Sequence, residues 1–240
     1  MKVIVCENYE EESQKAFEVM KDVIQKNPHA ILGLATGSSP EGLYKEMVKD
    51  YEEHGTSYAD ITSYNLDEYV GIDRNHPESY YSFMHKHLFD HVNIKPENTH
   101  LPEGSTQADA DAYEAELKKV TIDLQLLGIG RNGHIGFNEP GTSFDAPTHI
   151  VDLTQSTLEA NSRFFDNDVN KVPHQAMSMG LGSIMRSKKI LLVANGANKA
   201  DAVKAMVEGP VTEKVPASIL QKHPDVVVVL DKAAASKLSK

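Results

Sequence analysis

Six short strand-like runs recur along the chain, several of them continuously apolar, and each is followed by polar or glycine-rich residues. The runs are KVIVC, AILGLA (30–35), ITSYNL (61–66), IDLQLLGIG, KKILLVANG and PDVVVVLD. Nearly continuous apolar runs, without alternation of apolar and polar residues, are typical of strands that are covered on both faces of a parallel sheet. The pattern therefore predicts a mostly parallel sheet built from these strands.

Segments with apolar residues at helical spacing separate the predicted strands. They lie after KVIVC, from about Ser39, at residues 77–92, in ADADAYEAELKKV, in NKADAVKAMVEG and near the C-terminus. Strands that alternate with helices in this way predict a doubly wound α/β/α sandwich. Residues 1–240 contain no internal repeat and no linker, so we expect a single domain.

The composition excludes several classes of protein. With 35 acidic and 24 basic residues the formal net charge is −11, so the overall field does not attract nucleic acid or an anionic membrane. The single cysteine, Cys6, excludes a disulfide framework, and we expect it to be buried. No apolar stretch approaches the roughly 20 residues of a membrane-spanning helix, and the first residues do not resemble a signal peptide. We therefore expect a cytoplasmic protein.

Ligands of parallel sheets bind beyond the carboxyl ends of the strands, so the residues after each run are candidates for a site. The second run is followed by Thr36, Gly37, Ser38 and Ser39 and then by a predicted helix. Free backbone N–H groups and hydroxyls at such a helix start can bind an anion. A plain capped turn explains the same residues equally well, and the lysine of a P-loop is missing.

Two adjacent acids, Asp67 and Glu68, follow the third run. Neighbouring side chains of an extended backbone point to opposite sides, so only one of the two can face a ligand. A carboxylate in a partly dry cleft, near a second acid, has a raised pKa, which suits a general base. The alternative is a pair of solvated loop acids.

The fourth run leads into GIGRNGHIGFNEPG, whose first three glycines match the dinucleotide fingerprint G-x-G-x-x-G. That fingerprint requires a helix after the third glycine, whereas HIGFNEPGTSFDAP holds two further glycines and two prolines. Such a segment cannot form the helix, which argues against a nicotinamide cofactor. The loop instead presents Asn132, His134 and Glu139 together. His134 is a candidate acid–base residue, because imidazole titrates near neutrality and a neighbouring carboxylate or amide can fix its tautomer.

Two cations and two histidines complete the candidates. Lys199 lies near a helix start after the fifth run, and Arg163 lies in ANSRFFDN. Each can be an ordinary surface residue, and they become candidates for an anion only if the other strand ends form a pocket. His87 and His91 are one helical turn apart in the predicted helix, but no third ligand is in view, so we expect no metal site.

Five stretches occur in order along the chain: LATGSSP, NLDEYVG...HPESYYSFM, GIGRNGHIGFNEPG, NSRFFDND and NKADAVKAMVEG. Together they resemble the glucosamine-6-phosphate deaminase family (the glucosamine/galactosamine-6-phosphate isomerases) over nearly the whole chain. The resemblance implies a Rossmann-like α/β/α fold that is shared with sugar-phosphate isomerases and 6-phosphogluconolactonases. It also implies a reaction of amino-sugar catabolism without an organic cofactor. In that reaction, glucosamine 6-phosphate and water give fructose 6-phosphate and ammonium.

The resemblance further implies a role for each motif position. Asp67 is implied to be the base that enolises the opened sugar. His134 is implied to move a proton between the ring oxygen and the anomeric hydroxyl, with Asn132 and Glu139 flanking and orienting it. The phosphate is implied to be held by Thr36–Ser39, Arg163 and Lys199.

The chain departs from the family pattern at two places. Many members have aspartate at the position of Asn132, and a neutral amide does not stabilise a protonated His134 electrostatically, so we expect a lower pKa for ring opening. Hexameric, allosterically activated members carry an extra C-terminal segment and basic residues where this chain has His149 and Val151. We therefore expect a monomer or small homo-oligomer without that allosteric site.

Two other functions are compatible with the same fold. A 6-phosphogluconolactonase needs a base to activate water but no enolising carboxylate, which leaves the acids after the third run unexplained. A sugar-phosphate sensor of a transcription regulator would be joined to a helix-turn-helix, for which this chain has no room. A sensor also has no need of both a base and an acid–base histidine in its pocket.

Overall fold

The computed structural model describes residues 1–239. Their strands are β1 (Lys2–Cys6), β2 (Ile31–Leu34), β3 (Thr62–Asn65), β4 (Asp67–Tyr69), β5 (Thr99–His100), β6 (Leu124–Leu127), β7 (His149–Asp152), β8 (Gln175–Ser178), β9 (Lys189–Ala194) and β10 (Val226–Asp231). Their α-helices are α1 (Tyr9–Lys26), α2 (Ser38–His54), α3 (Tyr80–His87), α4 (Gln107–Leu117), α5 (Gln155–Asn161), α6 (Leu181–Met185) and α7 (Ala200–Glu208). None of these helices is long and apolar enough to span a membrane.

Seven strands form one sheet in the order β1-β10-β9-β6-β2-β3-β5, and every pair in it is parallel. All six runs lie in this sheet, so the predicted mostly parallel α/β fold is confirmed. The runs are apolar because β6, β9 and β10 are almost wholly buried. The seventh strand, β5, has only two residues and no apolar run, so the sequence pattern did not reveal it.

The sheet changes direction between two neighbouring strands. From β2 the chain continues to β3 on one side, and from β6 it continues to β9 on the other. Because the crossovers diverge there, a crevice opens beyond the carboxyl ends of β2 and β6. The residues at these two ends are the loop 35–37, which leads directly into α2, and the loop 128–134, and they contain parts of two of the motifs described above.

A second, three-stranded antiparallel sheet of order β4-β8-β7 lies beside this edge. Its strands have three or four residues, and β7 is partly exposed, so no continuous apolar run marks them. The sheet belongs to a small core of its own, formed by Tyr69, Phe137, Leu153, Leu158, Phe165, Val172 and Ala176. This sheet and core were not predicted from the sequence.

The helix predicted for residues 77–92 is wrong in its bounds. Only α3 is helical, and a separate 3-10 turn follows it at Phe89–His91, because the backbone breaks at Leu88 (φ −143°, ψ −60°). His87 and His91 therefore lie on different elements, and the expected one-turn spacing between them does not exist. Within residues 1–239, no group of three or more His, Cys, Asp or Glu residues is placed to hold a metal ion.

Two smaller expectations have different outcomes. Cys6 is buried, as expected, with 2% of its surface exposed. The predicted C-terminal helix is wrong, since residues 232–237 form successive turns. Asp231 Oδ1 accepts the N–H of Ala234 at 2.7 Å and caps this segment, but so short a stretch cannot offset the cost of nucleating a helix.

Candidate active site

A cleft of about 730 Å³ opens at the carboxyl edge of the parallel sheet. Its walls come from the residues after β2, β6 and β9, from β4, and from the segment around α5. Nine of the ten residues singled out in the sequence line it: Thr36, Gly37, Ser38, Ser39, Asp67, Asn132, His134, Arg163 and Lys199. The tenth, Glu139, lies behind the wall and reaches the cleft through Asn132.

The two acids of β4 point to opposite sides, as the extended backbone predicts. Asp67 lines the cleft, whereas Glu68 lines a separate groove. The Glu68 carboxylate accepts the backbone N–H groups of Tyr69, Tyr80 and Tyr81 at 2.9–3.0 Å. Glu68 therefore binds the free N–H groups of the first turn of α3 and fixes where that helix begins.

Asp67 is buried, with 7% of its surface exposed. Burial, and then the charge of Glu68, raises the pKa of Asp67 from 3.8 to about 8. The alternative of two solvated loop acids is therefore wrong. A carboxyl group with such a pKa can both accept and release a proton near neutral pH.

The loop after β6 is irregular and holds His134 in one tautomer. Glu139 Oε2 can only accept, so Asn132 Nδ2 donates to it at 2.8 Å. This orients Asn132 Oδ1 toward His134, where it accepts the Nδ1 hydrogen at 2.7 Å. The neutral imidazole then carries its proton on Nδ1, and its Nε2 lone pair is left for a ligand in the cleft.

Two glycine positions make this arrangement possible. A Cβ on Gly130 would lie 2.1 Å from Cε1 of His134, so only glycine leaves space for the imidazole ring. Gly133 has φ +85°, a left-handed conformation that favours glycine. Residues 129–148 contain no helix, so the prediction that no helix follows the third glycine is confirmed.

The electrostatics around His134 favour the neutral ring. Burial lowers the pKa of His134, Glu139 opposes this shift, and Lys199 adds to it. Glu139 Oε2 lies 3.6 Å from His134 Nδ1, close enough to stabilise a positive charge that forms during a reaction. The imidazole is therefore a proton acceptor at rest, with a carboxylate behind it.

The part of the cleft around Lys199, called its cationic end below, carries positive charge. Lys199 Nζ donates to the carbonyl of Ile129 at 2.6 Å. Burial, followed by the charges of Arg131 and Arg163, lowers the pKa of Lys199 from 10.5 to about 8. Three cations that repel one another in a chain of net charge −11 indicate a site that is completed by an anion.

Sequence reasoning missed Arg131. It lies inside the glycine-rich loop, next to Asn132, and lines the cleft. A cation in a strand-end loop of an acidic chain was the available signal. Within the described residues, the arginines paired with carboxylates are Arg74 and Arg186, so the two cleft arginines have no carboxylate partner there.

The start of α2 faces the same end of the cleft. Gly37 is its N-cap residue, with φ +96°, and no side chain caps the helix. Backbone N–H groups of the first turn are therefore available to an anion. Ser39 Oγ donates to Asn195 Oδ1 at 3.1 Å, which joins this loop to the loop after β9.

An acid and a histidine suited to proton transfer lie in one cleft with an anion site of helix N–H groups and cations. Together with the doubly wound sheet, they are typical of α/β enzymes that perform acid–base chemistry on small anionic substrates. A family model described as "Glucosamine-6-phosphate isomerases/6-phosphogluconolactonase" matches residues 9–229. The chain belongs to this family.

Curated relatives and solved structures agree with this assignment. The glucosamine-6-phosphate deaminase of Mycoplasma mycoides is 52% identical, with 100% of this chain and 98% of the relative covered. That of Thermoanaerobacter pseudethanolicus is 50% identical, with 98% and 94% covered. A solved monomeric glucosamine-6-phosphate deaminase superposes with a TM-score of 0.96 at 44% identity, covering 98% of this chain and 99% of that one. A 6-phosphogluconolactonase from Trypanosoma brucei, with a TM-score of 0.80 at 18% identity and 99% and 98% covered, shares the fold.

Proposed function

We propose that this chain is a glucosamine-6-phosphate deaminase, which converts glucosamine 6-phosphate and water to fructose 6-phosphate and ammonium. The observation that carries the proposal is that Asp67 and His134 line one cleft whose other end is cationic. The identity of about half the residues with deaminases over the whole chain supports the same reaction.

The substrate's phosphate would bind at the cationic end. The first-turn N–H groups of α2 and the hydroxyl of Ser38 donate to its oxygens, and Lys199, Arg163 and Arg131 supply the charge. A bound dianion stabilises the protonated lysine, so the pKa of Lys199 rises when the site is filled. Phosphate binding thereby relieves the repulsion among the three cations.

His134 would open the sugar ring. Its Nε2 accepts the proton of the anomeric hydroxyl, and the imidazolium returns a proton to the ring oxygen as the C1–O bond breaks. Asn132 keeps Nε2 toward the substrate because its own orientation is set by Glu139. The carboxylate of Glu139 stabilises the transient positive charge.

Asp67 would then move the proton between two carbons. Its ionised form removes the proton from C2 of the open aldehyde, and the resulting amino-enol takes a proton at C1. The product of this step is a 2-imine, which water hydrolyses to the ketose and ammonia. None of these steps requires an organic cofactor.

A lactonase is the second candidate, because its family shares this fold. Lactone hydrolysis requires a base for water but gives a buried, enolising acid at Asp67 no role. The deaminase proposal accounts for both Asp67 and His134, and we therefore prefer it.

The proposal extends to assembly and location. The similar solved structure is that of a monomeric enzyme, and we propose a monomer or small homo-oligomer without an allosteric site. His149 Nδ1–H donates to the carbonyl of Pro147 at 2.7 Å, so this nitrogen is already used within the chain. Hyperbolic kinetics are expected; a sigmoidal response that N-acetylglucosamine 6-phosphate relieves would contradict this.

A cytoplasmic location stays a prediction from the sequence.

The direct test of function is to incubate the purified chain with glucosamine 6-phosphate and measure both products. Ammonium and fructose 6-phosphate should appear in equal amounts. If neither appears while the folded protein still binds the sugar phosphate, the deaminase proposal is wrong, and 6-phosphogluconolactone is the next substrate to assay.

A further inference from the structure

The start of α2 is held by a tyrosine from another helix. Tyr9, the first residue of α1, places its hydroxyl against the first turn of α2. The hydroxyl donates toward the carbonyl of Ser38 at 2.8 Å, with the carbonyl of Ser39 at 3.2 Å, and accepts the N–H of Gly42 at 2.8 Å. One side chain therefore contacts the backbone of three residues in that turn.

The two helices approach closely enough for this contact because of Gly42. A Cβ at this position would lie 2.0 Å from Ser13 Oγ and 3.1 Å from Cζ of Tyr9. Ser13 Oγ also donates to the carbonyl of Tyr9 at 2.8 Å, which stabilises the first turn of α1. The packing of α1 on α2 thus fixes the position of the Tyr9 hydroxyl.

A second tyrosine holds the other end of the same loop. The hydroxyl of Tyr44 donates to the carbonyl of Ala35 at 2.5 Å and accepts the N–H of Ala35 at 3.2 Å. The loop Thr36–Ser39 is therefore fixed on both sides by phenolic hydroxyls. Because α2 has no side-chain cap of its own, its first turn depends on these outside contacts.

We propose that Tyr9 is a positioning residue for the phosphate site: its hydroxyl holds the first turn of α2 so that the N–H groups of this turn converge on the phosphate. Tyr9 does not touch the substrate in this arrangement, as it is absent from the residues that line the cleft. Its contribution is to the affinity for phosphate and not to proton transfer. The inference rests on the proposed function only in taking phosphate as the anion.

The test compares Tyr9→Phe with Tyr51→Phe in the full chain. Both changes remove one hydroxyl, but Tyr51 lies near the far end of α2, where its hydroxyl makes no hydrogen bond within residues 1–239. In Tyr9→Phe, the KM for glucosamine 6-phosphate and the Kd for inorganic phosphate, measured by calorimetry, should both rise about 3- to 10-fold. The value of kcat should stay within about twofold, because removing a remote hydroxyl leaves the proton-transfer groups in place. Tyr51→Phe should change neither constant.

Several results would overturn the inference. These are an unchanged Kd for phosphate in Tyr9→Phe, an equal rise in Tyr51→Phe, or a loss in kcat with KM and Kd unchanged. A variant that is too unstable to assay is replaced by Ser13→Ala, which removes the hydrogen bond to the Tyr9 carbonyl and should raise Kd less than threefold. A larger rise there would assign the effect to the packing of α1. Phosphate binding is measured without turnover, so weaker binding in Tyr9→Phe supports the inference even if the chain does not deaminate the sugar.

Discussion

The cleft has an acid–base end around Asp67 and His134 and a cationic end around Lys199, and burial shifts the pKa of a titratable group at each. At one end burial raises the pKa of Asp67 to about 8, and at the other it lowers the pKa of Lys199 to about 8. Burial disfavours whichever form is charged, so an acid and a base shift toward each other. The acid then becomes a group that can exchange protons near neutrality. The lysine becomes a cation whose full charge appears when an anion binds.

The two ends also differ in how they are built. Asp67 and His134 are single side chains fixed by short strands and by a glycine-rich loop. The anion end combines a helix start with three cations from separate loops. We therefore expect variants of the first end to lower kcat and variants of the second end to raise KM.

The largest effect is expected at Asp67. Asp67→Asn keeps the shape of the side chain but removes the base, so kcat should fall at least about 10³-fold, while the Kd for the sugar phosphate changes less than about threefold. Steady-state kinetics and calorimetry measure the two quantities. If Asp67→Asn turned over at the wild-type rate, the base would have to be another residue.

His134→Gln should lower kcat about 10²-fold for the closed-ring substrate. Glutamine can hydrogen-bond at this position but cannot carry the proton between the two sugar oxygens. His174→Gln, at an exposed position away from the cleft, is the matched control and should leave kcat unchanged. Equal rates for His134→Gln and its control would exclude His134 from ring opening.

Lys199→Met should raise KM about 10- to 100-fold, because a charge-assisted contact with the phosphate is lost. The effect on kcat should be much smaller. Lys204→Met, in α7 just after Lys199 but paired with Glu208 at the surface, should leave both constants unchanged. A fall in kcat alone would place Lys199 at the reacting carbons and contradict the division between the two ends.

The pH dependence of kcat/KM should reflect the titration of both Asp67 and Lys199. As pH rises toward 8, Asp67 ionises and kcat/KM increases by up to about tenfold per unit; above 8, Lys199 loses its charge and kcat/KM falls. Lys199→Arg should abolish the alkaline fall, since a guanidinium keeps its charge. An unchanged alkaline limb in Lys199→Arg would assign that fall to another group.

The smallest effect on turnover is expected at Glu12, which is buried like Asp67 but lies outside the cleft. Glu12 is 1% exposed, and burial, followed by the charge of Asp231, raises its pKa from 4.5 to about 8, as for Asp67. It does not line the cleft, and neither of its carboxylate oxygens has a hydrogen-bond partner within residues 1–239. A raised pKa alone therefore does not identify a catalytic acid; a position in the cleft is also required.

Glu12→Gln should keep kcat and KM and alter stability. The carboxyl proton of Glu12 is released near pH 4.5 in the unfolded chain but near pH 8 in the folded protein. Between these two pH values the folded state binds more protons, so the free energy of unfolding of the wild type decreases as pH rises. Glu12→Gln has no titratable group at this position, so its free energy of unfolding lacks this decrease. It should match the wild type near pH 4.5 and exceed it by a few kcal/mol at pH 9 in urea unfolding. A gain that did not grow with pH would show that burial does not raise the pKa of Glu12.

The parallel sheet was predictable from the sequence because strands that are buried on both faces of a sheet consist of nearly continuous apolar residues. The sequence also located the strand ends, and thus Asp67, His134 and the loop 36–39. The small antiparallel sheet was missed because its strands have only three or four residues and β7 is partly exposed, so no continuous apolar run marks them. The start of α3 was misplaced because Glu68, distant in sequence, supplies the partners for its N–H groups.

Long-range contacts explain the other omissions in the site. The strand-end position of Arg131 was visible in the sequence, but its proximity to Lys199 and Arg163 was not. Tyr9 reads as an ordinary helix residue, and its contact with the first turn of α2 spans 29 residues of sequence. Such pairings depend on the three-dimensional packing and leave no local pattern.

The most direct test of the central claim is the fate of the C2 hydrogen in Asp67→Asn. Glucosamine 6-phosphate deuterated at C2 is incubated with this variant, and NMR follows the label and the binding of the sugar phosphate. The account predicts that the variant binds the substrate with near wild-type affinity and retains the deuterium at C2. Loss of the label at the wild-type rate would contradict the assignment of Asp67 as the base that enolises the sugar.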